Sequence, residues 1–208
     1  MLNNSLFLIF TYFFASIPFG LLIGKIFYKK DIRLEGSKNI GATNVFRTCG
    51  KIAGILTFLL DGLKGAIPVL IAKSLFQNDL YFIVGIIAIL GHIFPIYLNF
   101  KGGKGVATTI LILFAINVKF GFIGVSIWAS FLLLFGFVSL ASIGMSVLLI
   151  PFSFCMNDGK LIPLLNFEIS ILTLFTILFA SIIVLTHRQN IERLLQKNEK
   201  KMFSKSLF

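Results

Sequence analysis

Charged residues are scarce in this chain of 208 residues, because Asp, Glu, Lys and Arg together make up only 13% of it. A water-soluble domain carries about 25%, so the sequence holds too little charge to cover a surface that faces water. Apolar residues make up 57% of the chain, and 25 of its residues are Phe. This balance excludes a soluble globule and predicts an integral membrane protein.

Acidic residues are the rarer of the two charged classes, with 8 Asp and Glu against 19 Lys and Arg and a net charge of +11. Such an excess suits anionic lipid headgroups or a phosphate-bearing substrate. Nucleic acid is not expected as a partner, because no long soluble basic surface is available to hold it.

Several catalytic patterns are also missing. The sequence has no HExxH motif, no paired carboxylates and no Cys/His cluster, and its 2 cysteines lack metal-ligand spacing. No base and orienting group accompany Ser37 in the manner of an activated serine nucleophile. We therefore expect no metal and no cofactor, and we expect a substrate that arrives already activated.

Long apolar runs predict the membrane spans, which need about 20 residues each. The first run has no basic segment before it and no convincing cleavage site, so we interpret it as a retained span rather than a signal peptide. It is expected to bend or end near Pro18. The clear runs are Ser5–Gly24, Ile52–Lys73, Leu80–Phe100, Ala141–Met156 and Phe167–Thr186.

The stretch Val106–Val138 decides the number of spans, because it is too long for one helix. If Val106–Ile116 is re-entrant there are six spans, and if it crosses there are seven. Seven spans with the N-terminus outside put most basic residues on the inside, as the positive-inside rule requires. The sequence thus predicts an all-α integral membrane protein with seven transmembrane helices, a cytoplasmic C-terminus and a single membrane-embedded domain, 1–208.

Ionisable residues inside the predicted spans are expensive and should face the protein interior. Asp61 and Lys64 stand three residues apart in the second span, so we expect them to pair on one helix face. His92, in the third span, is expected to be buried, neutral and hydrogen-bonded.

Three segments on the predicted inner side combine short polar side chains with positive charge, and the first two of them also contain glycine. They are Glu35–Arg47 (EGSKNIGATNVFR), Phe100–Thr109 (FKGGKGVATT) and Thr186–Arg193 (THRQNIER). Glycine lets backbone N–H groups approach an anion, while Lys and Arg add charge. A single inside Lys is more often a topology signal, so the phosphate site is predicted from the three segments jointly.

The second and third segments add detail. The second lacks the G-x-x-x-x-G-K-[ST] pattern of a P-loop, but Gly102, Gly103 and Gly105 lead into a helix near Val106 whose positive end attracts anions. In the third, His187 and Asn190 share a helix face. The basic stretch from Lys197 onward predicts a surface helix on anionic lipid.

These segments carry a resemblance to a known family. The stretches GSKNIGATNVFR, DGLKG, GHIFPIYLNFKGGKGVAT, SLASI and HRQNIERLL resemble, in order and spacing, the bacterial membrane family of acyl-phosphate:glycerol-3-phosphate acyltransferases. One position departs from it, because Lys38 stands where the family is expected to favour a small residue, usually glycine.

The resemblance implies transfer of a fatty acyl group from acyl phosphate to glycerol 3-phosphate, which yields lysophosphatidic acid and phosphate. It implies a multi-pass protein of the bacterial inner membrane, an active site facing the cytoplasm, and an upstream enzyme that produces acyl phosphate. Either His187 or a substrate phosphate would be the base. The implied catalytic residues are Lys104, His187, Ser37, Arg47 and Asn190, and the implied phosphate-binding residues are Asn39, Gly102, Gly103, Gly105 and Ser142.

Two rival functions remain. The Asp61/Lys64 pair within a span suits a transporter of phosphorylated metabolites, although there is no inverted repeat and the polar motifs gather at one face. A CDP-alcohol phosphotransferase would need clustered metal-binding aspartates, and the Asp residues here are scattered.

Overall fold

The computed structural model describes residues 3–76, 79–156, 161–164 and 167–202. The chain divides into two compact units, Met1–Val118 and Lys119–Phe208. The first contains the helices α1 (Asn4–Ala15), α2 (Phe19–Tyr28), α3 (Ala42–Cys49), α4 (Lys51–Leu75), α5 (Leu80–Ile93) and α6 (Val106–Ile116), with a 3-10 turn at Ile96–Leu98. The second contains α7 (Val118–Phe135, which begins at the boundary), α8 (Val138–Cys155), β1 (Leu161–Leu164), β2 (Phe167–Ser170), α9 (Ile171–Thr186) and α10 (Arg188–Leu195).

The predicted helical, multi-span architecture is confirmed in its main features. Among the described residues, 5 segments are long and apolar enough to cross a bilayer, and a sixth is added if α9 and α10 count as one span across a 60° bend. The helix α6 is apolar but has only 11 residues. The number seven therefore stays a prediction. The 5 segments are Asn4–Tyr28, Lys51–Leu75, Leu80–Leu98, Val118–Phe135 and Val138–Cys155.

The first span is broken at Ser16–Pro18, as the proline predicts. The break leaves main-chain carbonyls without helical partners, and Lys64 of α4 donates to the carbonyl of Ile17 at 2.6 Å. The same ammonium pairs with Asp61 at 2.7 Å, so the predicted pair is confirmed. It also lies 5.8 Å from the ring centre of Phe19. The lysine of a buried ion pair thus supplies a hydrogen-bond donor to the break in the first span.

The helix α4 turns small and polar residues inward and large apolar residues outward, which is the pattern of a helix surrounded by lipid. Gly62 and Gly65 lie so close to α6 that an added Cβ would overlap Leu111 and Thr108, respectively. Close backbone approach of this kind replaces the bulky core of a soluble bundle. The outward face carries Ile55, Leu59, Leu63 and Ile67, all exposed.

The short helix α6 packs against α4 and α5. Its residues Ile112 and Leu113 are fully buried. Lys73 of α4 donates to the carbonyl of Ile116 at 2.8 Å and thereby satisfies the last turn of α6. Protein, rather than lipid, therefore surrounds much of this helix.

The second unit contains a pair of antiparallel strands that the sequence analysis missed. The strands β1 and β2 pair antiparallel, with Leu161 opposite Ser170. The prediction of a span over Phe167–Thr186 is therefore wrong in its first four residues, because the alternation Phe-Glu-Ile-Ser suits a strand. The last apolar helix begins at Ile171, where the hydroxyl of Ser170 accepts from the amide of Thr173 at 3.0 Å.

The segment after α10 also differs from its prediction. The helix ends at Leu195, and Lys197 adopts a left-handed conformation with φ 58°. The amide of Asn198 then donates to the carbonyl of Arg193 at 2.8 Å, a common helix-ending arrangement. The surface helix predicted from Lys197 is wrong for 197–202, and residues 203–208 lie outside the described part of the chain.

Candidate active site

The first predicted loop is folded around a buried amide side chain. Asn44 is 2% exposed, and its Nδ2 donates to the carbonyls of Ile32 at 2.9 Å and Asn39 at 2.8 Å. Its Oδ1 accepts from the amide of Ser37 at 2.8 Å. Because one side chain satisfies main-chain groups on both sides of the loop, the segment 32–39 is fixed to α3.

Three predicted site residues belong to this arrangement. Ser37 is exposed and its amide is bound to Asn44. Asn39 is half-buried, and its Oδ1 accepts from the amide of Gly41 at 2.9 Å. Arg47 is exposed in the last turn of α3, three residues after Asn44 and on the same face. The structure thus brings Ser37 and Asn39 into one loop, and the helix that anchors this loop carries Arg47.

Lys38, which stands where the family is expected to favour glycine, has an unusual backbone conformation. Lys38 adopts φ 60°, and Gly36, two residues earlier, adopts φ 62°. This left-handed region favours glycine, because a Cβ crowds the backbone there. The expectation of a glycine at position 38 therefore matches the conformation that the lysine has to adopt.

The second loop reverses the chain after α5. Asn99 and Phe100 both adopt left-handed backbone conformations, with φ 50° and 60°. Gly105 adopts φ 82° and precedes α6, which begins at Val106 as predicted. Lys104 is half-buried just before this first turn. A cation and the positive end of a helix thus stand together, which is the requirement for holding an anion.

The two glycines before Lys104 have a different role from the one expected. The amide of Gly102 donates to the carbonyl of Ile93 at 3.0 Å, and the amide of Gly103 donates to that of His92 at 3.1 Å. These carbonyls end α5 and lack helical partners. Both amides are therefore used inside the protein, and the first turn of α6 offers further main-chain donors to an anion.

His92 lies directly under this loop. An added Cβ at Gly103 would overlap its Nε2, and its Nδ1 faces Asp61 Oδ1 at 3.7 Å. His92 is 3% exposed, so the predicted burial is confirmed. The predicted hydrogen bond is not found at Nδ1, which has no such partner in the described part of the chain.

In the second unit, His187 stands at the 60° bend between α9 and α10. It is 3% exposed, and its Nδ1 lies 2.8 Å from the carbonyl of Ile183. Because a carbonyl can only accept, the neutral ring carries its proton on Nδ1 and a lone pair on Nε2. Asn190 is also buried, and its main-chain N–H donates to the carbonyl of His187 at 2.8 Å.

Asn190 is oriented by a carboxylate that the sequence analysis did not single out. Its Nδ2 donates to Glu199 Oε1 at 2.6 Å, and the hydroxyl of Ser139 donates to the same oxygen at 2.8 Å. Arg193 Nε donates to Oε2 at 2.7 Å. Burial alone would raise the pKa of Glu199, but the three hydrogen bonds outweigh burial and hold that pKa below its ordinary value. Glu199 is therefore an ionised anchor for α10.

Ser142 lies one turn after Ser139 on α8, which begins three residues earlier than predicted. Its side chain is fully buried and donates to the carbonyl of Val138 at 2.8 Å. It accepts from Trp128 Nε1 at 3.2 Å. Its main-chain amide lies within the helix and its hydroxyl hydrogen is already donated, so a phosphate contact from Ser142 requires the hydroxyl to turn away from Val138.

Comparison with known proteins gives this arrangement a family. A family profile described as glycerol-3-phosphate acyltransferase matches residues 5–197. The glycerol-3-phosphate acyltransferase of Pelagibacter ubique is 44% identical over 191 residues, covering 92% of this chain and 93% of that protein. The one from Streptococcus gordonii is 42% identical, covering 96% and 92%. The chain belongs to the glycerol-3-phosphate acyltransferase family.

Solved structures agree with this assignment to an acyltransferase family. The crystal structure of PlsY, an integral membrane glycerol 3-phosphate acyltransferase, in its glycerol 3-phosphate form has a TM-score of 0.86 at 36% identity. The match covers 97% of this chain and 96% of that one. The lysophosphatidic acid form gives 0.83 at 35% identity, covering 95% and 94%. Such values establish the same fold and an integral membrane enzyme.

The sequence analysis of this glycerol-3-phosphate acyltransferase family member did not single out two residues that organise the candidate site, Asn44 and Glu199. Asn44 stands in a segment already rich in Asn and glycine, so nothing distinguished it as the buried one. Glu199 stands among lysines, which favoured a surface interpretation. The usable signal was its isolation, because an acidic residue within a basic stretch needs positive or hydrogen-bonding partners.

Proposed function

We propose that the protein transfers a fatty acyl group from acyl phosphate to glycerol 3-phosphate, with lysophosphatidic acid and inorganic phosphate as products. The observation that carries this proposal is the match over nearly the whole chain to a glycerol 3-phosphate acyltransferase whose structures have glycerol 3-phosphate and lysophosphatidic acid forms. Both substrates carry phosphate. Lys, Arg, Ser and Asn side chains suit phosphate groups, whereas acidic side chains would repel them.

In the reaction, the primary hydroxyl oxygen of glycerol 3-phosphate attacks the acyl carbonyl carbon. An ester C–O bond forms, the C–O bond of the acyl-phosphate anhydride breaks, and phosphate leaves with the electron pair. The hydroxyl proton passes to a base. Since the donor is already activated, the protein needs to bind, orient and stabilise charge rather than to form a covalent intermediate.

The proposed roles follow the chemistry of each side chain. Arg47 and Lys104 hold phosphate groups, and His187 does so when its Nε2 is protonated, while Ser37 and Asn190 orient the glycerol end. Glu199 supports the role of Asn190, because it accepts a hydrogen bond from Nδ2 of Asn190 and so fixes the orientation of that side-chain amide. The first turn of α6 supplies main-chain contacts to phosphate, and the hydroxyl of Ser142 contributes once it turns from Val138 toward a phosphate oxygen. Asn39 and the glycines at 102, 103 and 105 shape the loops.

The base is either His187 or a substrate phosphate, whose second pKa is about 6. The proton on Nδ1 of His187 leaves Nε2 able to accept another, which suits a base. If His187 is the base, His187→Gln loses the limb on which kcat rises with pH. If the phosphate is the base, the variant keeps that limb and most of its activity. A pH–rate profile of both proteins decides.

The cellular setting is part of the proposal. The whole chain, 1–208, works as one membrane-embedded catalytic domain that crosses the bacterial inner membrane seven times. The N-terminus lies outside, and the active site and C-terminus face the cytoplasm. The substrates are acyl phosphate, supplied by an upstream enzyme, and glycerol 3-phosphate, and no metal or other cofactor takes part.

The decisive experiment uses the purified protein in detergent with acyl phosphate and glycerol 3-phosphate, in the presence of a chelator. Lysophosphatidic acid and inorganic phosphate are expected in equal amounts. An Arg47→Ala variant serves as the inactive control. Failure to form lysophosphatidic acid under these conditions rejects the proposed reaction, and a requirement for added metal rejects the proposed chemistry.

A further inference from the structure

We propose that His92 is a positioning residue that shapes the glycine-rich loop 101–105 and thereby sets its affinity for a phosphorylated substrate. The inference rests on the proposed function, which assigns this loop to phosphate. It concerns a residue that lies within a membrane span and that the reaction itself does not use.

The main-chain contact is the first step. The carbonyl of His92 accepts from the amide of Gly103 at 3.1 Å, and that of Ile93 accepts from Gly102 at 3.0 Å. The loop is thereby bound along the last turn of α5. Its path, and with it the position of Lys104, depends on where this turn ends.

The imidazole ring is the second step. The atoms that an added Cβ at Gly103 would meet first are Nε2, Cε1 and Cδ2 of His92. The ring therefore occupies the space in which a side chain at Gly103 would stand. Gly102 differs, because its Cβ would meet the carbonyl oxygens of His92 and Ile93 and the ring of Pro95.

The third step concerns Asp61, which contacts both ends of the segment. Its carboxylate faces His92 Nδ1 at 3.7 Å, before the loop. Its main-chain carbonyl accepts from the hydroxyl of Thr108 at 2.9 Å, after the loop. Lys64 pairs with the carboxylate at 2.7 Å. One residue of α4 thus connects the start and the end of the segment 92–108.

The energetics suggest a reason for this cluster. The side chains of Asp61, Lys64 and His92 are 2%, 1% and 4% exposed. Apolar side chains of similar volume would cost less to bury in such a place. A phosphate loop, by contrast, needs its charges and N–H groups held within about 0.5 Å of the productive geometry. Holding the loop is the role that the contacts support.

The test adds a methyl group to the loop at Gly103 and removes the imidazole ring of His92, singly and together. Gly103→Ala is expected to raise KM for at least one phosphorylated substrate, because its methyl group overlaps the ring. His92→Ala should also raise that KM by about tenfold, with kcat within about threefold, since the loop loses its support but not its chemical groups. The double variant gives the methyl group room, so its KM should fall below that of Gly103→Ala alone.

Two matched controls separate positioning from general damage. Gly102→Ala meets backbone and proline, so His92→Ala should not lower its KM. Thr57→Val removes a buried hydroxyl of α4 that donates to the carbonyl of Ala53 in the same helix at 2.8 Å, and it should leave both KM values unchanged. If His92→Ala does not fold, His92→Asn takes its place in the same comparison.

Titration with inorganic phosphate, followed by thermal shift, provides a readout that needs no turnover. Phosphate is expected to bind wild type most tightly and Gly103→Ala most weakly, with the double variant between them. Unchanged KM and phosphate affinity in folded His92 variants overturn the inference, as does a double variant no better than Gly103→Ala. Absence of lysophosphatidic acid formation by wild type rejects the proposed reaction instead, and the phosphate titration still decides the role of His92.

Discussion

At the scale of single residues, Asn44 holds the first loop of the candidate site in place. Its amide satisfies the carbonyls of Ile32 and Asn39 and the amide of Ser37. Asn44→Ala leaves these main-chain groups without this partner, and a buried group left unpaired, such as the carbonyl of Ile32, costs about 1–3 kcal/mol. We expect a lower free energy of unfolding in detergent and at least tenfold lower activity.

The control for Asn44 is its neighbour Thr48. Thr48 is half-buried, and its hydroxyl donates to the carbonyl of Asn44 within the same helix at 3.0 Å. Thr48→Val should therefore keep most stability and activity. Wild-type activity in Asn44→Ala would show that the loop 32–39 does not depend on this amide.

Lys38 carries a second prediction, which concerns stability alone. Its φ of 60° costs a residue with a Cβ about 1–2 kcal/mol, and glycine avoids most of this cost. Lys38→Gly should raise the free energy of unfolding by about 0.5–1 kcal/mol after the greater chain entropy of glycine is counted. Lys101→Gly is the control, because Lys101 is exposed and its φ is not positive. Equal effects of the two substitutions on thermal unfolding would contradict the explanation.

At the scale of elements, Glu199 connects the segment that follows α10 to α8 and α10 through hydrogen bonds. Glu199→Gln replaces an oxygen that accepts hydrogen bonds with an NH2 group that donates, so donors from Ser139, Asn190 or Arg193 meet another donor. We expect a loss of about 1–3 kcal/mol in the free energy of unfolding. Activity should fall as well, because Asn190 loses its fixed orientation. Glu192→Gln, on the exposed side of α10, is the matched control.

The pH dependence of stability gives the same residue an independent test. The pKa of Glu199 is lower in the folded protein than its ordinary value of 4.5. Its contribution to stability is therefore complete above about pH 4.5 and is lost as pH falls through the folded pKa. Wild type should lose stability in this acid range more steeply than Glu199→Gln. Parallel pH profiles of the two proteins would rule out a stabilising carboxylate at this position.

The same elements show how far sequence reasoning reaches. The helix α4 and the Asp61–Lys64 pair were predictable, because an apolar run and a three-residue spacing are local signals. The pairing of β1 with β2 was not predictable, since a short apolar run fits a strand or the start of a helix equally well. The partners of Asn44 and Glu199 lie up to 12 and 60 residues away in the chain, and no local pattern encodes such contacts.

At the scale of the whole molecule, the number of spans depends on whether α6 completes a crossing. Its 11 residues extend about 16 Å at 1.5 Å per residue, against about 30 Å for the apolar core of a bilayer. A crossing therefore requires the loop before α6 to lie well below the membrane surface. The buried Asp61, Lys64 and His92 beneath this loop fit such a depth, because they supply polar partners where water is absent.

Labelling with a membrane-impermeant thiol reagent tests this crossing. In a background with Cys49→Ser and Cys155→Ser, single cysteines are placed at Lys38, Lys101, Lys119 or Arg188, which are all exposed. Seven spans predict that only the cysteine at position 119 reacts in intact cells and that the other three react in inverted vesicles. A re-entrant α6 puts positions 101 and 119 on the same side. With six spans, either the early or the late basic segments lie outside, against the positive-inside rule. Lys104 and His187 then lie on opposite sides of the bilayer, which rejects their proposed role in one reaction.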